Sequence, residues 1–107
     1  MTTLVTGDEG LIKVQLTKEG SPFSINTSAT VKVGIVTADH KELLSSVVTC
    51  LHTSPGCDWA TSLISFSFPS TATQDIVITK PVMLELEVDD GGKLTWFIPI
   101  KLLKGQI

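Results

Sequence analysis

Arginine and tyrosine are both absent from this 107-residue chain, and all eight of its cationic side chains are lysines. Lysine offers a point charge, whereas the guanidinium fork grips phosphate or carboxylate through two parallel hydrogen bonds. A chain without arginine is poorly equipped for nucleic acid or anionic substrates. Eleven acidic residues leave a net charge of −3, with no basic stripe to follow a phosphate backbone. Nucleic acid is therefore set aside as a partner. The two cysteines, Cys50 and Cys57, are too few for a disulfide framework and are not spaced as a redox Cys-x-x-Cys pair, so two reduced thiols are expected. Long apolar runs are missing too. The nearest, Trp96-Phe97-Ile98-Pro99-Ile100, meets Lys101 far short of the roughly 18 residues that suggest a membrane helix. Met1 to Thr6 lacks the lysine-led apolar stretch and cleavage site of a signal peptide. One soluble domain made in the cytoplasm, with no membrane contact, is the expectation.

Helical periodicity is also absent, because Pro, Gly and β-branched residues interrupt every window long enough for three turns. The period that is present is two. Ile12, Val14 and Leu16 share one face of a strand, with Lys13 and Gln15 on the other. Gly20-Ser21-Pro22 turns the chain, and Phe23 and Ile25 resume the inward face. Thr30 to Val36 repeats the alternation, with Val31, Val33 and Ile35 inward and Lys32 and Gly34 outward. Asp39-His40-Lys41 makes the next turn. Leu43 to Leu51 reads as one or two strands, and His52 to Thr61 is the longest irregular stretch. Ile64, Phe66 and Phe68 then alternate with serines, whose face should meet water. Ser70 to Asp75 is a turn or a single helical turn, and Ile76-Val77-Ile78 reads as a short strand.

The last quarter fixes a register. Val82, Leu84, Leu86 and Val88 must face the core, and so must Leu94, Trp96, Ile98 and Ile100. A two-residue Gly91-Gly92 turn would set Leu86 against Phe97 and put Trp96 on the glutamate side. A three-residue loop, Asp90-Gly91-Gly92, sets Val88 against Leu94, Leu86 against Trp96, Leu84 against Ile98 and Val82 against Ile100. A one-residue slip flips every side chain, so burial selects the second register. The loop should carry a left-handed glycine of the G1-bulge type, with Asp89 facing Lys93. Pro99 cannot donate to a ladder, which puts the final strand at an edge or a bulge. Phe97 points outward with it, either covered by a loop or the N-terminal segment, or left as a contact surface for another subunit. Seven or eight strands in a chain of this length fit an all-β, two-layer antiparallel β-sandwich, Ig-like in general shape, as a single domain over residues 1–107.

One ordered set of turns carries a resemblance. Gly7-Asp8-Glu9-Gly10, an alternating strand ending Leu16-Thr17, then Gly20-Ser21-Pro22-Phe23 and Ser28-Ala29-Thr30-Val31-Lys32-Val33 resemble the N-terminal β-sandwich module of tailed-phage baseplate and tail-fibre proteins. The chain departs from that pattern in two places. It has Ile25-Asn26-Thr27-Ser28 where the family has Leu-Thr-Gly, and Asp39-His40 where the family has Asp-Gly. The resemblance covers about the first 40 residues and implies a virion structural role, docking onto other virion proteins and onto further copies of itself as a homo-oligomer. It implies no catalytic residue and no cofactor.

The remaining polar constellations invite a chemical reading. His40, Cys50, His52 and Cys57 reach the count of a structural zinc site, but neither cysteine pairing has metal-ligand spacing, so no metal is expected. A Cys50–Cys57 disulfide closing the intervening loop is geometrically possible but disfavoured by a reducing compartment. Cys50 or Ser54 with His52 and Asp58 would make a nucleophile and base. Residues so close around one loop rarely assemble a relay with its oxyanion hole, and no enzyme activity is expected. Glu85, Glu87, Asp89 and Asp90 read as the solvent face of a hairpin rather than a calcium or glycosidase site. Trp59, on a loop beside Asp58, is either a cap over the core or a platform on which a sugar ring could stack. The interface candidates are thus Phe97 and Pro99, with Trp59 as runner-up. The functional alternative is a carbohydrate- or receptor-binding module.

Overall fold

A computed structural model describes residues 2–7, 9–77 and 81–103. Its strands are β1 (Thr2–Val5), β2 (Ile12–Gln15), β3 (Thr30–Thr37), β4 (Val48–Cys50), β5 (Leu63–Phe66), β6 (Val82–Asp89) and β7 (Lys93–Leu103). A 3-10 turn at Trp59–Thr61 precedes β5, and the four-residue helix α1 (Ser70–Thr73) follows it. The chain is all-β. Asp8, in the first turn motif, and Ile78, at the end of the expected Ile76–Ile78 strand, lie outside the described residues. Ile76 and Val77 are not in a strand: Ile76 is buried as a single anchor while Val77 is 73% exposed.

Five strands form one sheet in the order β1-β7-β6-β3-β4, and β2 pairs with β5 in a second. The β6–β7 hairpin adopts the register that burial demands, with Val88 opposite Leu94, Leu86 opposite Trp96, Leu84 opposite Ile98 and Val82 opposite Ile100. Its loop is Asp90-Gly91-Gly92. The positive φ of +81° falls on Gly91 in the middle of that loop, rather than on its last residue, where a type I turn with a G1 bulge puts it. Asp89 stands opposite Lys93, yet the Lys93 ammonium reaches diagonally to Glu87, 3.8 Å away.

The sheet is not antiparallel throughout, because β1 runs parallel to β7 from Thr2 opposite Ile100 to Val5 opposite Leu103. This pairing also corrects the placement of β7, which is an interior strand by order. Pro99 nevertheless sits just before the β1 ladder begins at Ile100, so its missing N–H falls where the flank of β7 opens.

Both sheets contribute to one core. Val14 of β2, Leu16 just beyond it, and Ile64 and Phe66 of β5 join Val31, Val33, Ile35, Leu84 and Leu86 from the larger sheet. Burial along β7 is graded, from Leu94 at 43% exposed, through half-buried Trp96 and Ile98, to buried Ile100 and Leu102. The hairpin tip thus overhangs the core. It is held there by Trp96, whose ring stacks on Phe23 at 5.5 Å and whose Nε1 donates to the Thr17 carbonyl at 3.1 Å. The Lys18 ammonium also lies over the Phe23 ring, 4.6 Å from its centre.

The serine face of β5 does not all meet water. Ser65 is fully buried with no hydrogen-bond partner for its hydroxyl, although Ser67 is exposed. Ser65 pairs across the sheet with Lys13, whose stem lies against Gly56 of the returning 52–57 loop, so that loop lies over a face the alternation left to solvent. Ser62 is also buried, at a left-handed φ of 57°, and its hydroxyl donates to the Leu16 carbonyl at 2.6 Å, joining the end of β5 to the end of β2.

Candidate functional site

The outer face of the β3–β6–β7 sheet begins from an alternation that breaks. β3 alternates as expected through Val33, but from Gly34 to Thr37 every residue is buried. The cause is a turn followed by a flap. Thr37 and Glu42 close the turn, with Thr37 N–H donating to the Glu42 carbonyl at 3.0 Å and His40 N–H to the Thr37 carbonyl at 2.8 Å. The Asp39 carboxylate accepts from Lys41 N–H at 3.1 Å and from the Thr37 hydroxyl. His40 takes the left-handed position at φ 62°, which a glycine fills most easily and which histidine enters more readily than most other residues.

The chain then returns along β3. Leu43 bridges Val36, and Leu44 N–H donates to the Ile35 carbonyl at 2.7 Å. Leu43 settles over Gly34, where a Cβ would come within 2.9 Å of its Cδ1. Gly34 is therefore the gap in the pleat that admits the flap. Between the Val36–Leu43 bridge and the Val33–Val48 pair, residues 34 and 35 oppose residues 44–47, which is a bulge. Ser45 fills the missing ladder position, its Oγ accepting from Ile35 N–H at 2.8 Å.

Flap and hairpin together wall a groove of about 580 Å³ floored by Gly34 and Val36. Lys32, Lys41 and Lys93 face Glu42, Glu85 and Glu87 around it, so its charge is mixed. Leu43 and Val47 stand at its rim, 54% and 51% exposed. Phe97 is on the same face, 36% exposed, with the His40 imidazole stacked on it at 3.8 Å between ring centres and 11° between planes. The covering loop is thus the β3 turn rather than the N-terminal segment. Pro99 is exposed one pleat further along.

Trp59 is elsewhere and is buried, at 5% exposed, with His52 edge-on at 5.8 Å and its Nε1 without a partner. A ring that deep offers no free face to a sugar, and it caps the core instead. Asp58, beside it, is committed to the N-terminus of the 3-10 turn, accepting from Ala60 N–H at 3.2 Å. The four residues weighed for zinc are not drawn together, since His40 is engaged with Phe97 and His52 packs on Trp59. Among the described residues no three His, Cys, Asp or Glu side chains converge as metal ligands.

No protein-family model matches the chain, and no curated protein matches it significantly. The arrangement has to speak through its own chemistry.

Both cysteines are free thiols. Burial, with a smaller contribution from neighbouring Cys57, pushes the Cys50 thiol up to about 12. Cys57 is half-buried and its Sγ lies 3.2 Å from the His52 carbonyl oxygen. Among the described residues no helix is long and apolar enough to cross a membrane.

Sequence reasoning placed Phe97 on the outward face of the hairpin, where it lies, but missed the flap. The available signals were Gly34 at an outward position of a β-branched strand and a turn whose left-handed slot falls to His40.

Proposed function

We propose that this chain is a non-enzymatic structural or assembly module that works through protein–protein contacts in a phage particle, as a two-layer Ig-like sandwich with β2 and β5 in the smaller layer. The observation that carries the reading is the outer face of the larger sheet, where Leu43 and Val47 stay about half exposed at the 580 Å³ groove and Phe97, partly covered by His40, is 36% exposed on the same face. Clustered exposed apolar side chains rimmed by charges are the usual signature of a protein contact, and aromatics are enriched at such surfaces. The phage setting rests on the turn-and-strand resemblance of residues 7–33. A closed ring of copies, or a ring built with other virion proteins, would satisfy every such interface.

Two measurements test the proposal. Mass spectrometry of gradient-purified particles from the source lysate should find peptides of this chain at fixed stoichiometry to the major capsid protein. Abundance in the lysate with absence from particles would overturn the virion role. Phe97→Asp should dissociate oligomers in size-exclusion chromatography with light scattering while leaving the far-ultraviolet circular dichroism unchanged. Oligomers that survive this change would remove Phe97 from the interface.

A further inference from the structure

The loop between β4 and the 3-10 turn folds back on itself. Ser54 N–H donates to the Leu51 carbonyl at 3.1 Å, and Cys57 N–H to the Ser54 carbonyl at 3.3 Å. Two successive turns, the second containing Gly56 at φ +75°, bring Cys57 back beside the residues that follow Cys50. The Cys57 Sγ lies 3.8 Å from the carbonyl oxygen of Leu51, the residue joined to Cys50. Cys50 belongs to the core cluster and Cys57 packs against that same cluster from its rim. One thiol is thus buried and the other reachable at one corner of the fold.

We infer that Cys50 and Cys57 form a thiol–disulfide modification site, in which a small-molecule disulfide such as oxidised glutathione drives formation of an internal bond between them. In the first step the Cys57 thiolate attacks one sulfur of the small disulfide, forming a mixed disulfide and expelling one small thiolate. In the second, Cys50 loses its proton and its sulfur attacks the Cys57 sulfur, expelling the other small thiolate. The two thiolates take up the two protein protons. The protein is oxidised by two electrons and the small disulfide is reduced to two thiols. The order follows from access, because Cys50 is 3% exposed while Cys57 is at the surface. The high Cys50 pKa makes the second step the slow one, since only the thiolate attacks. The product would tie the end of edge strand β4 to the segment entering β5, linking the two sheets covalently.

The experiment incubates the folded protein with oxidised glutathione, quenches with N-ethylmaleimide and digests with trypsin. Trypsin cuts after Lys41 and, because Lys80 precedes Pro81, next after Lys93, so both cysteines fall in one peptide. The expected product is that peptide two hydrogens lighter, carrying neither maleimide nor glutathione. Cys50→Ser should instead retain one glutathione on Cys57. Cys57→Ser should leave Cys50 unmodified until urea is added. A wild-type protein that ends with glutathione on Cys57 and maleimide on Cys50, that forms disulfide-linked dimers, or that does not react at all overturns the inference without recourse to either variant.

Discussion

Ser45→Ala isolates the device that closes the edge of β3. Ile35 is fully buried and Ser45 is 6% exposed. The Ile35 carbonyl is served by Leu44 N–H at 2.7 Å, but its own N–H faces the bulge, where the Ser45 hydroxyl stands in for a strand carbonyl at 2.8 Å. That hydroxyl also donates to the Ser46 carbonyl at 3.0 Å. Alanine fits the space and removes the acceptor, leaving a buried donor at a cost of about 1–3 kcal/mol. A domain of this size has only about 5–15 kcal/mol in total, and each kcal/mol lost shifts Tm by roughly 4–8 °C. Urea denaturation should report the loss with an unchanged slope. Amide exchange should show Ile35 losing protection ahead of Val33. The exposed neighbour serves as the control, with Ser46→Ala within about 0.5 kcal/mol of wild type. A Ser45→Ala protein that keeps both its stability and Ile35 protection would show that the hydroxyl is not what satisfies that amide.

Three further outcomes follow from particular contacts. Ser65→Ala should be neutral or stabilising by up to about 1 kcal/mol in urea denaturation, because it deletes a buried hydroxyl that has no partner; a loss above that size would reveal a bond to this hydroxyl. Leu86→Ala, at a fully buried position in the central hairpin, should cost about 2–5 kcal/mol, and a smaller loss would mean the site collapses around the cavity. Raising the pH should destabilise the protein through Cys50. Its folded value lies above its ordinary 9.0, so the native state holds the proton longer; the associated stability is complete below pH 9 and is lost as pH rises towards about 12. The slope approaches about 1.4 kcal/mol per pH unit for one proton, and Cys50→Ala should lack that component of the alkaline decline.

The parts that were legible in the sequence share a physical cause. The β6–β7 register was readable because Val82, Leu84, Leu86 and Val88 alternate with acids, and only one loop length buries both apolar sets. Val31, Val33 and Ile35 announced the inward face of β3 for the same reason. The serines of β5 misled because polarity marks a residue that tolerates water, not one that meets it, and the 52–57 loop, eight or more residues away, folds back against Lys13 beside Ser65. Trp59 was legible as a choice between two roles: its size favoured a cap over the core, which is the role it takes at 5% exposed, and that burial withdraws it as the runner-up contact residue.

Alternation along the chain determined the class, the face each strand presents and the pairing across a short hairpin, because a two-residue period and a short loop are local constraints. Only the tertiary structure decided that β1 lies parallel to β7, that the 38–47 flap folds over Gly34, that His40 covers Phe97 and that Cys57 returns beside Leu51 and His52, the residues that follow Cys50. These contacts join segments whose own periodicity is satisfied with or without the partner. They are set by which exposed edges and gaps remain once the local pairs have formed.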